Sequence, residues 1–166
     1  MNEIIILVAK YLYLVSVLLA VYYWLRLPGP DKRRMGLLAV ITLPLALIIG
    51  KIASHFISDP RPFVVLHVQP LLAHAADNGF PSDHTLLTMT LAAIVFVLNK
   101  KWGVGLAVIA LLVGVSRILA LVHHPLDILG STVIAIVATY IAKLVLDRQM
   151  FSLGIKEKPE KTNDKG

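Results

Sequence analysis

Apolar residues run along this chain in long blocks that polar residues interrupt only briefly. Residues 4–25 read IIILVAKYLYLVSVLLAVYYWL, and comparable blocks occupy roughly 36–57, 83–99, 102–121 and 125–147. A helix rises about 1.5 Å per residue, so about 20 apolar residues cross the hydrocarbon core of a bilayer. The pattern predicts an all-α integral membrane bundle of about five transmembrane helices. The first block is too long for the apolar core of a secretory signal, and neither a basic start nor a small-residue cleavage site flanks it. Tyr22, Tyr23 and Trp24 fall where an interfacial aromatic belt belongs.

The polar connections set the topology. RLPGPDKRR joins the first two blocks, and Asn99–Lys100–Lys101 makes a tight third connection. One side of the membrane receives Arg26, Lys32, Arg33, Arg34, Lys100, Lys101, Arg148, Lys156, Lys158, Lys161 and Lys165, whereas the other receives Arg61 and Arg117. Basic loops stay in the cytoplasm, so the N-terminus is expected outside and the C-terminus inside. Residues 1–150 read as one membrane domain without an internal repeat. Residues 151–166 read as a polar cytoplasmic tail whose charge predicts disorder.

Composition agrees with the pattern. The chain is 57% hydrophobic and 16% charged with a mean hydropathy of +0.78, against about 25% charged residues in soluble domains. The net charge of +6 is spread over the connections, which argues for membrane lipids as partners and against nucleic acid. Cys is absent, which excludes disulfides, thiolate metal sites and a thiol nucleophile.

Three stretches combine charge with aromatic or apolar surroundings: K51-IASHFISDP-R61-P62, F80-PSD-H84-T, and S116-R117-ILALV-H123-HPL-D127. In the expected topology all three reach the outer face. Charged groups at span ends are expensive and ask for a partner or a purpose. Arg61 and Arg117 suit bidentate binding of phosphate oxygens, and Lys51 adds a point charge or simply snorkels. Ser82 begins the third span, where free N–H groups and the helix dipole favour an anion; a plain N-cap is the alternative. His123 and Asp127 are four apart, which puts them about 6 Å apart at Cβ on one helix face, and Pro125 is tolerated in a first turn. A carboxylate on one ring nitrogen leaves the other free to attack. His84, on a separate helix start, is placed to protonate a leaving oxygen. Asp83 should repel a dianion, so it faces a base of the cradle or tunes His84.

Other features call for no chemistry. His55, His67, His74 and His124 match no motif and read as interfacial or packing residues. Residues 63–76 are too short to span and contain Pro70; they lie in the interface and shape lipid access, or form a structural loop. Gly103, Gly105, Gly114 and Gly130 read as close helix packing.

The three stretches resemble the three signature motifs of the type 2 phosphatidic acid phosphatase superfamily, membrane lipid phosphatases related to vanadium haloperoxidases. The third motif matches from Ser116–Arg117 through His123 to Asp127. The second is usually Pro-Ser-Gly-His, and here it is Pro81–Ser82–Asp83–His84. The first usually has Lys seven before Arg, but position 54 is Ser and the nearest Lys is Lys51. Both departures resemble the bacitracin-resistance branch, which dephosphorylates undecaprenyl diphosphate; the likeness covers roughly residues 36–147.

The resemblance implies a nucleophile at His123 forming a phosphohistidine, an orienting carboxylate at Asp127 and a general acid at His84. It implies phosphate binding by Arg61, Arg117 and Ser82, with Lys51 and Asp83 beside them. No metal or other cofactor is implied. The expected substrate is a polyprenyl diphosphate, handled by a multi-pass plasma-membrane enzyme with an extracytoplasmic active site. Alternatives are another phospholipid (phosphatidylglycerol phosphate, phosphatidic acid or diacylglycerol diphosphate), transfer to a lipid acceptor, and a non-catalytic lipid-binding protein.

Overall fold

The computed structural model describes residues 2–152, with side chains to residue 150; nearly all of the tail expected to be disordered lies outside the described residues. Six helices follow in order: α1 (Asn2–Arg26), α2 (Gly29–Phe56), α3 (Pro62–Val65), α4 (Asp83–Leu98), α5 (Lys100–Leu119) and α6 (Pro125–Ser152). There is no strand among the described residues, so the all-α expectation holds.

Local chemistry sets the helix ends. Pro28 caps α2 in extended conformation and Pro30 sits in its first turn, where a missing N–H costs nothing. Asn99 ends α4 and starts α5 at once. Its N–H donates to Val95 O at 2.8 Å, and its side chain accepts from Trp102 N at 3.1 Å. One residue thereby serves as C-cap and N-cap, which forces α4 and α5 antiparallel. Gly103 lies against the Phe96 backbone so closely that a Cβ would overlap it.

The expected bundle of about five apolar helices is present, one of them shorter than the rest. Four helices, α1, α2, α5 and α6, are long and apolar enough to cross a membrane, whereas α4 has 16 residues. At 1.5 Å per residue it is about 24 Å long, short of a hydrocarbon core of about 30 Å. It still runs from the motif end of the bundle to the basic end. α4 is the central helix, packed on α1, α2, α5 and α6, with Leu86, Met89, Ala92, Ile94 and Val95 buried. Its buried Thr88 and Thr90 donate to His84 O and Leu86 O one turn back, which satisfies their hydroxyls without a polar neighbour.

The two ends of the bundle differ chemically. One end gathers Arg26, Lys32, Lys100 and Lys101 with the aromatic residues. There the Tyr23 and Trp102 rings lie 5.3 Å apart, and Trp24 Nε1 donates to Lys32 O at 2.9 Å. Arg34 and Lys143 both meet Asp147. The opposite end carries the three motif stretches and the long α2–α4 connection. Asn78 organises that connection. Its Oδ1 accepts from Asp59 N and Phe80 N, and its Nδ2 donates to Ser54 O and Ile57 O. Residues 63–76 form the short α3 and turns, and Leu72 is buried against Ala9, Ala120 and Val122, so this segment packs as a structural loop with an exposed apolar rim at Val65, Leu66 and Val68.

Candidate active site

The end of α5 determines where the site begins. Leu121 N–H donates to Ile118 O at 2.9 Å and Val122 N–H to Arg117 O at 3.2 Å, the paired bonds of a Schellman cap. Leu121 takes φ 61° at the position glycine usually fills, a left-handed conformation that costs an L-residue about 1–2 kcal/mol. The chain turns sharply there and delivers His123 into the bundle, 2% exposed.

His123 is held at both ring nitrogens. Nδ1 lies 3.1 Å from Asp127 Oδ2, and Nε2 lies 3.4 Å from Arg61 Nη1. Asp127 is fully buried, and its Oδ2 also accepts the His124 N–H at 2.9 Å. With Asp127 as acceptor, the ring proton belongs on Nδ1 and the lone pair on Nε2. Burial pushes the His123 imidazole below its ordinary value. The hydrogen bond to Asp127 opposes that shift, and the Arg61 and Arg117 charges add to it.

Arg61 is fixed by several acceptors. Nε donates to Asp77 Oδ1 at 2.7 Å, Nη1 to Val122 O at 2.7 Å and Nη2 to Asn78 O at 3.5 Å. This pairing holds the Asp77 carboxyl below the usual carboxylate range. Arg117 is buried as well; Nη1 reaches Ala9 O at 3.5 Å, while Nε has no partner among the described residues. A buried guanidinium with a free donor is suited to an anion. His84 begins α4 with the Tyr13 ring edge-on at 4.8 Å, within Coulombic range of Arg117 and His123.

Ser82 is the N-cap of α4, but its side chain makes no cap bond; Oγ accepts from Thr85 Oγ1 at 3.2 Å. Its backbone is tied to α6, because buried Ser131 Oγ donates to Ser82 O at 3.0 Å and to Asp127 O at 2.7 Å. Lys51 and Asp83 stand apart. Both line a polar cavity of about 100 Å³ with Ser54, Arg61, Asp77 and Asn78, whose wall excludes His123, His84 and Arg117. The Ser54 position, where the related motif carries Lys, is occupied by bonds from Asn78.

Some neighbours were not anticipated. The His74 ring sits 6.3 Å from that of His123. Burial, followed by the Arg61 charge, lowers its basicity. Asp59, Asp77, Asn78 and Ser131 also touch the motif residues. The signal for Asp77 and Asn78 lies in Asp77–Asn78–Gly79, a turn-forming polar cluster directly before the second motif. Gly79 is needed for close approach, since a Cβ there would lie 2.9 Å from Asp127 Oδ2 and 3.1 Å from Asp59 O. Among the described residues, the group with metal-ligand spacing is Asp59, His124 and Asp127, whose donor atoms all lie within 4.8 Å of one another. Asp127 there already serves His123.

A buried imidazole between a carboxylate and a guanidinium, with a second histidine and arginine nearby, is chemically suited to binding a phosphate and moving protons beside it. The chain belongs to the PAP2 superfamily, matched over residues 34–151. It is 34% identical to the bacitracin transport permease protein BcrC of Bacillus licheniformis over 99% of this chain and 87% of that one. It is also 34% identical to the undecaprenyl-diphosphatase BcrC of Bacillus subtilis, over 85% of this chain and 72% of that one. The crystal structure of Aquifex aeolicus LpxE shares the fold, with a TM-score of 0.69 and 24% identity over 86% of this chain and 85% of that one.

Proposed function

We propose that the protein hydrolyses a polyprenyl diphosphate, undecaprenyl diphosphate foremost, to the monophosphate and inorganic phosphate. The observation that carries this reading is His123, with Nδ1 on Asp127 and Nε2 facing Arg61 in a buried pocket. Relatives named for undecaprenyl-diphosphatase activity and bacitracin support the choice of substrate.

In the proposed reaction the Nε2 lone pair attacks the terminal phosphorus. The bond to the bridging oxygen breaks, and His84 gives its proton to the departing lipid monophosphate. Arg61, Arg117 and the Ser82 region hold the equatorial oxygens as charge spreads over them. A water molecule then attacks the phosphohistidine and gives a proton to His84. The P–N bond breaks and its electron pair returns to Nε2. Asp127 keeps the Nδ1 proton throughout and stabilises the charged ring. Lys51 and Asp83 act from the adjoining polar cavity. The site works on the extracytoplasmic face of the plasma membrane, with the basic end of the bundle in the cytoplasm.

The test is phosphate release from undecaprenyl diphosphate by detergent-purified protein in the presence of a chelator, alongside His123→Ala. Release by the parent and none by the variant supports the reading. Equal release by both rejects His123 as nucleophile. Silence from both, with release from phosphatidylglycerol phosphate or phosphatidic acid, moves the substrate assignment to another phospholipid.

A further inference from the structure

Behind the His123–Asp127 pair stands a second carboxyl group, inside the first motif stretch but with no role assigned to it there. Asp59 lies in the connection from α2 to α3, and its backbone is clamped on both sides. Its N–H donates to Asn78 Oδ1 at 2.9 Å, and its C=O accepts from Gly79 N at 2.8 Å. The clamp leaves its carboxyl group, 18% exposed, beside Asp127 and His124 with all three donor atoms within 4.8 Å. Asp127 is fully buried, and while Oδ2 accepts two N–H groups, Oδ1 has no partner among the described residues.

We propose that Asp59 is a positioning residue for the nucleophile, sharing one proton with Oδ1 of Asp127 so that the carboxylate orienting His123 is held on both oxygens. This rests on the reading of His123 as nucleophile.

Two ionised carboxylates this close and this buried repel strongly, and one proton between them removes the repulsion. The same proton supplies the donor that Oδ1 lacks, and a buried unmet acceptor costs free energy. The titratable groups facing Asp59 are Asp127 from α6 and His124 from the α5–α6 connection. His124 Nδ1 stands 3.0 Å from Asp59 Oδ1. Arg61, two residues along, points its guanidinium at Asp77, Val122 and Asn78 instead. Burial raises the Asp59 carboxyl above its ordinary value, with the Asp127 charge adding to the rise and His124 opposing it. A line of groups results, running from half-exposed His124 through Asp59 and Asp127 to His123. The carboxylate plane of Asp127 is thereby fixed against the imidazole. A divalent cation on the same three residues would instead draw Asp127 away from His123.

The experiment compares wild type, Asp59→Asn and Asp59→Leu. Asn keeps a permanent N–H donor for Oδ1, whereas Leu keeps only bulk. The carbonyl stretch of a neutral carboxylic acid should be present in the infrared spectrum of wild type at neutral pH and absent from Asp59→Asn. This measurement needs no substrate, so its failure is separable from failure of the phosphatase reading. In phosphate release, Asp59→Asn should stay within about threefold of wild type. Asp59→Leu should lose about a hundredfold in kcat with KM within about twofold, since misplacing a catalytic group by about 1 Å costs about that much. An infrared spectrum unchanged by Asp59→Asn overturns the proposal. So does an Asn variant as impaired as the Leu variant, or wild-type activity that a chelator abolishes and magnesium restores.

Discussion

Arg61 and His123 meet at Nη1 and Nε2, 3.4 Å apart, while the same Nη1 donates to the carbonyl of Val122, the residue just before His123. One guanidinium therefore fixes the backbone that carries the imidazole, and in the proposed reaction it also meets the phosphoryl oxygens. A lysine in its place has a single ammonium and cannot hold Asp77, Val122 and the substrate together. Arg61→Lys is expected to lower kcat about 10²- to 10³-fold, the effect of losing one preorganised transition-state donor. Steady-state kinetics on the lipid substrate measure it, and a change confined to KM would contradict it.

Activity should survive mild acid. An ordinary imidazole titrates near about 6.5, and burial holds His123 below that. Protonation removes the attacking lone pair, so the acid limb of kcat/KM should fall below pH 6.5 and not at it. The sign for stability follows from the same shift. The unfolded chain takes up the proton first, so folding stability declines as pH falls below about 6.5. Arg61→Met, which deletes a neighbouring positive charge, should move the acid limb upward. A pH–rate profile of each protein decides this.

Much of this arrangement was legible in the sequence. The apolar blocks gave α1, α2, α5 and α6, because a bilayer demands long uninterrupted apolar helices. The spacing of Arg117, His123 and Asp127 gave the pair that the structure holds at 3.1 Å. The block at 83–99 likewise gave the short α4 to within a residue; that it packs on four other helices was not legible, since letters buried against protein look like letters buried in lipid. Asp59 and His74 were hidden for another reason. They reach the site through a connection whose shape depends on the bonds made by Asn78, and no periodicity records that. Lys51, three residues before the position where the related motif carries its Lys, reads either as a phosphate contact or as a snorkelling residue. It lines a polar cavity together with Arg61, which also meets His123.

Gly79→Ala should damage chemistry more than binding. The added methyl would sit 2.9 Å from Asp127 Oδ2 and 3.1 Å from Asp59 O, neither of which is the free end of a flexible chain. Overpacking of this kind costs about 1–3 kcal/mol. The expected result is a lower Tm together with a fall in kcat at nearly constant KM. A variant with unchanged kcat would mean that Asp127 tolerates displacement.

Lys51→Met tests the polar cavity. Its methylenes can still pack, but the charge beside Arg61 is gone. If the cavity holds the second phosphate of the substrate, KM should rise about three- to tenfold, as expected for losing one exposed charge contact worth about 0.6–1.4 kcal/mol. The kcat should stay within about twofold. An equal loss in kcat would place Lys51 at the transferring phosphoryl group instead.

The stretch matched to the superfamily starts at residue 34, after α1 has ended. Yet α1 supplies the Tyr13 ring against His84 and the Ala9 carbonyl that receives Arg117. The boundary of the segment shared across the superfamily is thus not the boundary of the structure around these residues. A shortened protein cut to the shared segment would lose one wall of its reaction chamber, and a graft of another relative's first helix would import that relative's wall. Variation in a helix that bears no signature is therefore a route by which closely similar catalytic machinery can be retuned.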